Sequence, residues 1–183
     1  ANAVRASVWP VHQKHADFGR NLDREALVLW FFLKASHVLF AMLYLGTGLG
    51  SAYYKLRAAR SGDPKIMAFC DREIVRADWI FTVTSGVVMP VTGTSMVMML
   101  RLPFSTSWVV TAFALYGIAG LLWVVAALLQ IKMRCLSQQA VERGEPVGPE
   151  YVRAQRQWML LGIPAFVAAA ATVVVMVVKP TLW

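Results

Sequence analysis

Long apolar runs broken by short polar punctuation set the pattern of this chain. The first runs from Ala26 to about Gly50. As a helix its ~25 residues would reach ~37 Å, enough to cross a bilayer. Asp23 is placed to cap it, with Glu25 in its first turn. No breaker follows Gly50, so Ser51 to Arg60 should carry the same helix past the membrane as a charged stalk. Ser61-Gly62-Asp63-Pro64 stops it and starts the next helix, with Asp63 as N-cap and Pro64 at the first position. That helix opens amphipathic, Ile66, Phe69, Ile74 and Val75 standing against Lys65, Asp71, Arg72, Glu73 and Arg76. From Asp78-Trp79 to Leu100 it is apolar.

Pro90 lies inside this second run and removes a backbone hydrogen bond, which predicts a kink. The nearby Thr and Ser hydroxyls can satisfy the freed carbonyls or reach neighbouring helices. Arg101 to Ser107 reads as a tight turn, with Ser105 or Ser107 as the cap of the third helix. That helix is apolar from Trp108 to Leu129 and continues to about Glu142. Gly144 to Pro149 breaks it, Pro149 opens the fourth helix, and the last apolar run, Met159 to Val178, ends at Lys179-Pro180. The predicted fold is all-α: an integral membrane four-helix bundle with spans at about 28–50, 78–100, 108–130 and 158–178. Its helices project beyond one face of the membrane. Residues 1–22 form an N-terminal arm at the membrane surface, and 23–183 the transmembrane domain.

Composition agrees. Of 183 residues, 58% are hydrophobic and 15% charged, and the mean hydropathy is +0.55. A soluble domain carries about a quarter charged residues. Trp30, Trp79, Trp108 and Trp158 each open a span, and Trp183 closes the chain. These are the positions of an interfacial aromatic belt. The net charge of +8 has no aromatic–basic interleaving of a nucleic-acid module around it, which leaves basic loops facing anionic lipid. Eleven Lys and Arg residues fall in the two hairpins joining spans 1–2 and 3–4, against six on the other side. The positive-inside rule then places the hairpins in the cytoplasm and both termini in the periplasm of a bacterial inner membrane. Cys70 and Cys135 lie in those hairpins without metal-ligand spacing and read as reduced thiols. His12 and His15 in the arm offer two ligands where zinc usually takes three or four protein ligands.

The candidate chemistry sits in the first span. His37 is the one histidine in any span, and Lys34, three residues earlier, shares its helix face. Ionisable groups at membrane depth are costly and are functional by default. One imidazole nitrogen can ligate haem iron while the other takes an acceptor. Tyr44 and Gly48 follow on the same face, the small residues leaving room for a flat porphyrin. The competing reading gives His37 a hydrogen bond to a hydroxyl of the second span. Lys34 either snorkels or meets a carboxylate such as a haem propionate. With a single membrane histidine, the second axial position falls to a methionine, to another chain or to nothing. Serine–histidine–carboxylate catalysis and a transporter's buried carboxylates are unsupported, and whether the chain is an enzyme stays open.

The segments Leu33 to His37, Leu45 to Lys55, Ala77 to Phe81 and Pro90 to Gly93 resemble an uncharacterised family of bacterial predicted integral membrane proteins. So do Leu115 to Gly120, Gln130 to Arg134 and the ending Lys179 to Trp183. The Lys34-x-x-His37 pair on a first membrane helix is also similar to the haem-binding membrane protoporphyrinogen oxidase and to copper-resistance membrane proteins. That resemblance implies His37 as a haem b ligand, with Lys34 beside it. The later segments depart from the oxidase pattern. Two functions follow as expectations. One is a small membrane redox protein holding b-type haem at His37 and exchanging electrons with quinone or a partner complex. The other is a non-catalytic accessory subunit. It would pack the Gly46/Gly50, Gly117/Gly120 and Ala168–Ala171 faces against a larger membrane complex or a second copy.

Overall fold

The computed structural model describes residues 24–183. The expected arm over 1–22, with His12 and His15, and the Asp23 cap lie outside those residues. Five α-helices make up the described chain: α1 (Arg24–Ser61), α2 (Pro64–Ala77), α3 (Val83–Met99), α4 (Ser107–Arg143) and α5 (Pro149–Val178). A five-residue π-helical turn, Asp78–Thr82, joins α2 to α3 into one continuous rod. Four helices are therefore long and apolar enough to cross a membrane.

The punctuation works as its chemistry requires. The Asp63 side chain accepts the Lys65 N–H at 2.8 Å, and Pro64 opens α2. Gly144 ends α4 at φ +67°, a left-handed conformation that glycine adopts without a Cβ clash. Pro90 sits inside α3, which stays helical through it. Proline has no N–H to give the carbonyl four residues back, that of Gly86. Tyr116 of α4 donates its hydroxyl to that carbonyl at 2.6 Å. The third helix differs from expectation at its start: Thr106 is the cap residue, without a side-chain capping bond. Ser107 is turned to the chain end, donating to the Pro180 carbonyl and accepting from the Leu182 N–H, both at 3.2 Å.

Packing divides the rods into two pairs. α1 lies along α3, and α4 along α5; α2 packs on α4, while α1 and α5 barely meet. The α4 seam carries a seven-residue repeat of buried positions, Ala112, Ala119, Ala126, Met133 and Ala140. Such a repeat keeps one stripe facing a partner helix, and alanines let backbones approach closely. The two pairs are tied at the end of the bundle that carries the α1–α2 and α4–α5 hairpins. There Ala58, Met67, Ala126, Met133, Tyr151, Ala154 and Trp158 form one buried cluster.

That hairpin end departs most from the simple amphipathic reading. Lys55, expected on a solvated stalk, is 1% exposed, and Asp71, expected on the polar face of α2, is 2% exposed. Lys55 donates to Asp71 Oδ1 in a buried ion pair. Its ammonium also stands 5.6 Å from the ring centroids of both Tyr151 and Trp158. The Tyr151 hydroxyl adds a 3.3 Å bond to the same carboxylate oxygen. Burial and the neighbouring Asp71 push that hydroxyl above the usual tyrosine range, so it remains a donor. The inward face of α2 is Met67, Asp71, Ile74 and Val75, leaving Ile66 and Phe69 exposed. Trp158 is likewise buried beneath Lys55, whereas Trp79 and Trp183 are exposed, as belt residues should be.

Breaking one side of a buried pair leaves an unmatched charge, a loss of about 3–5 kcal/mol; replacing both sides with apolar residues is often neutral. Lys55→Met is therefore expected to lower the thermal unfolding temperature markedly. The Lys55→Met/Asp71→Leu double variant should recover most of the loss, as read by circular dichroism in detergent.

Candidate functional site

The residues expected to form one cofactor face separate into two places. His37 lies in the seam between α1 and α3, half-buried, with Nδ1 2.8 Å from Thr92 Oγ1. The Thr92 hydroxyl has carbonyl acceptors in its own helix, Val88 at 2.8 Å and Met89 at 3.1 Å. A hydroxyl that gives its single proton to a carbonyl must accept from the histidine. With the Thr92 proton on a carbonyl, Nδ1–H is the donor and Nε2 carries the lone pair; the Met89 carbonyl also faces the ring. The seam is close because Gly93 follows Thr92: a Cβ built on Gly93 would stand 3.2 Å from His37 Cε1. Lys34, one turn away on α1, is exposed. The hydrogen bond to a hydroxyl on the second span is therefore present.

Tyr44 and Gly48 line a different feature. Where the two helix pairs part, an apolar cleft of about 320 Å³ opens between α1, the π-helical turn, α4 and α5. Its walls include Tyr44, Trp123, Trp158 and Phe166, with Gly48 and Gly162 leaving space between them. His37 and Lys34 are not among its lining residues. At its polar end lies Asp78, 7% exposed. Thr82 donates to Asp78 Oδ1 at 2.8 Å, and Gln130 faces the same carboxyl group. Oδ2 has no hydrogen-bond partner. The π-helical turn makes this arrangement: the helix widens so that the Val83 N–H reaches the Asp78 carbonyl, and both Asp78 and Thr82 are buried. Single π turns are frequent at functional sites.

For haem the fit is partial. His37 offers the anchored imidazole of an axial ligand. The cleft holds Met159 as a soft donor but no histidine, so its residues do not fit a haem ligated by His37. A porphyrin on His37 would have to lie along the α1–α3 seam instead. Among the described residues no cluster of three or more His, Cys, Asp or Glu could hold a metal ion.

Residues 31–180 match the family described as predicted integral membrane protein, DUF2269. The chain belongs to this family. It is an integral membrane protein, and its four apolar helices are the four candidate spans. No curated protein and no solved structure matches it.

Sequence reasoning passed over Asp78, Thr82 and Gln130. A signal was present: Asp78 opens the second span and Gln130 closes the third, so a four-span topology sets both at one depth. The two glycines facing these sites should respond differently to bulk. Gly93→Leu is expected to displace His37 and lower thermal stability, whereas Gly162→Leu, with nothing within 4 Å of its Cβ position, should unfold near the native temperature. Melting curves of the two detergent-solubilised variants check this.

Proposed function

We propose that the protein is a small electron-transfer component of the bacterial inner membrane that holds b-type haem through His37. The hairpin end faces the cytoplasm and both termini face the periplasm. One observation supports this reading: His37 Nδ1 stands 2.8 Å from Thr92 Oγ1, whose own proton has the Val88 carbonyl as an acceptor, so Nε2 is the ring nitrogen that would be left to ligate iron. Metal-ligating histidines have their second nitrogen held in this way, which sets ring orientation and raises basicity. When bound, haem would supply one-electron chemistry. This chain's residues would supply the axial nitrogen at His37 and, at Lys34, a cation for a propionate. Quinone or a partner complex would exchange the electron. Tyr44 and Gly48 stand in the cleft and would take no part in holding the haem.

A second reading has its own observation. The most apolar window of α1 has 0% of its residues buried, against 28%, 17% and 22% for the other three spans. Cβ atoms built on Gly46, Gly50, Gly117 and Gly120 would meet nothing within 4 Å. Glycine faces this open suit close contact with another membrane helix. They support an accessory or assembly subunit whose α1 docks on a larger complex or a second copy. A monodisperse solitary monomer after mild solubilisation would count against it.

The haem reading is tested by haem content per chain after expression in haem-replete cells. His37→Ala should abolish bound haem. Thr92→Val, which keeps the ligand and removes its anchor, should weaken retention about 10–100-fold. Unchanged haem content in His37→Ala would move the ligand elsewhere.

A further inference from the structure

The cleft between the helix pairs contains a feature that the haem reading does not use. Asp78 is buried and lines it, yet its Oδ2 is unpartnered. An ionised carboxylate out of water without a partner is costly. Thr82 donates to Oδ1 and the Gln130 amide faces the same group, while Oδ2, with no hydrogen-bond partner of its own, is open to a cationic donor entering the cleft.

The lining residues state what that is. They include no Lys, Arg or His, so an anionic amphiphile such as a fatty acid would meet only the carboxylate's repulsion. Tyr44 and Trp123 add aromatic rings to the lining, which attract cations through their faces. Leu49, Ile163 and Val167 line the cleft and are also exposed, giving an apolar entrance from the bilayer. Gly48 and Gly162 keep the interior clear for an apolar body.

We propose that this cleft is a binding site for an amphiphile with a protonated amine headgroup, the ammonium pairing with Asp78 Oδ2 and the apolar body lying between the α1 and α5 walls. The ammonium forms a hydrogen-bonded ion pair with the carboxylate, whereas an alcohol gives it a hydrogen bond with charge on the acceptor alone. The site is independent of His37. The amine can come from a small lipophilic amine or from an amine-headed lipid.

The test uses the full chain in nanodiscs of phosphatidylglycerol and phosphatidylcholine, titrated with 4-phenylbutylamine and with the neutral 4-phenylbutanol by isothermal calorimetry. The amine should bind saturably, and the alcohol about tenfold more weakly, because only the amine brings a charge opposite to the carboxylate. Asp78→Asn should reduce the amine to the level of the alcohol. Gly162→Leu, which fills the cleft and keeps the carboxylate, should abolish binding. Equal affinity for amine and alcohol on the wild-type chain overturns the proposal whether or not Asp78→Asn folds, and so does undiminished amine binding by a folded Asp78→Asn. Repeating the titration with phosphatidylethanolamine in the discs separates the sources. Competition assigns the site to the lipid and its absence to a free amine, and either result upholds the carboxylate–ammonium pairing.

Discussion

The buried Lys55–Asp71 pair is the constraint on which the arrangement of this bundle depends. It joins α1 to α2, and through Tyr151 and Trp158 it reaches α5. In the apolar spans α1 keeps to α3 and α4 to α5, with little between α1 and α5. Lipid is as apolar as leucine, so no hydrophobic force closes the gap between two such pairs. Polar and close-packed contacts decide where they touch. They are concentrated at the hairpin end, and the cleft opens where they stop. Tyr116 adds one tie within the spans, between α3 and α4, where Pro90 leaves the Gly86 carbonyl free.

The same economy of polar groups explains both candidate sites. In a spanning segment each polar side chain needs a partner, because water cannot provide one. Thr92 Oγ1 meets both His37 Nδ1 and the Val88 carbonyl of its own helix. Thr82 serves half of Asp78. Asp78 Oδ2 in the cleft, Asp71 Oδ2 at the hairpin end and Ser85 Oγ in α3 are the buried side-chain atoms left without a hydrogen-bond partner among the described residues. The proposed haem ligand His37, in the α1–α3 seam, and the proposed ammonium acceptor Asp78, in the cleft, lie in separate places.

The four spans, the Asp63–Pro64 start of α2, the Gly144 stop of α4 and the continuous α1 were legible in the sequence, because hydropathy and capping are local properties. The His37 hydroxyl partner could be anticipated as a type, since the second span is rich in threonine and serine. Its identity as Thr92 could not, because that depends on how far α1 slides along α3. The burial of Lys55 and Asp71 was hidden for a related reason. Each looks solvated on its own helix, and only the tertiary meeting of three helices makes a charged residue a core residue. The Ala112, Ala119, Ala126, Met133, Ala140 repeat was visible as a pattern but easily lost in a run of apolar residues. Tyr44 and Gly48 share a helix face with His37 in the sequence, yet the parting of the helix pairs assigns them to the cleft.

The most direct test of this account is whether the buried pair sets the separation of α1 and α5. Spin labels at Leu49 and Val167, both exposed residues lining the cleft, would be placed in a chain with Cys70 and Cys135 changed to serine. Double electron–electron resonance in nanodiscs would then read their separation. The account predicts one narrow distance distribution that Lys55→Met broadens and the Lys55→Met/Asp71→Leu variant restores. A distribution that is already broad in the parent, or is unmoved by Lys55→Met, would contradict it.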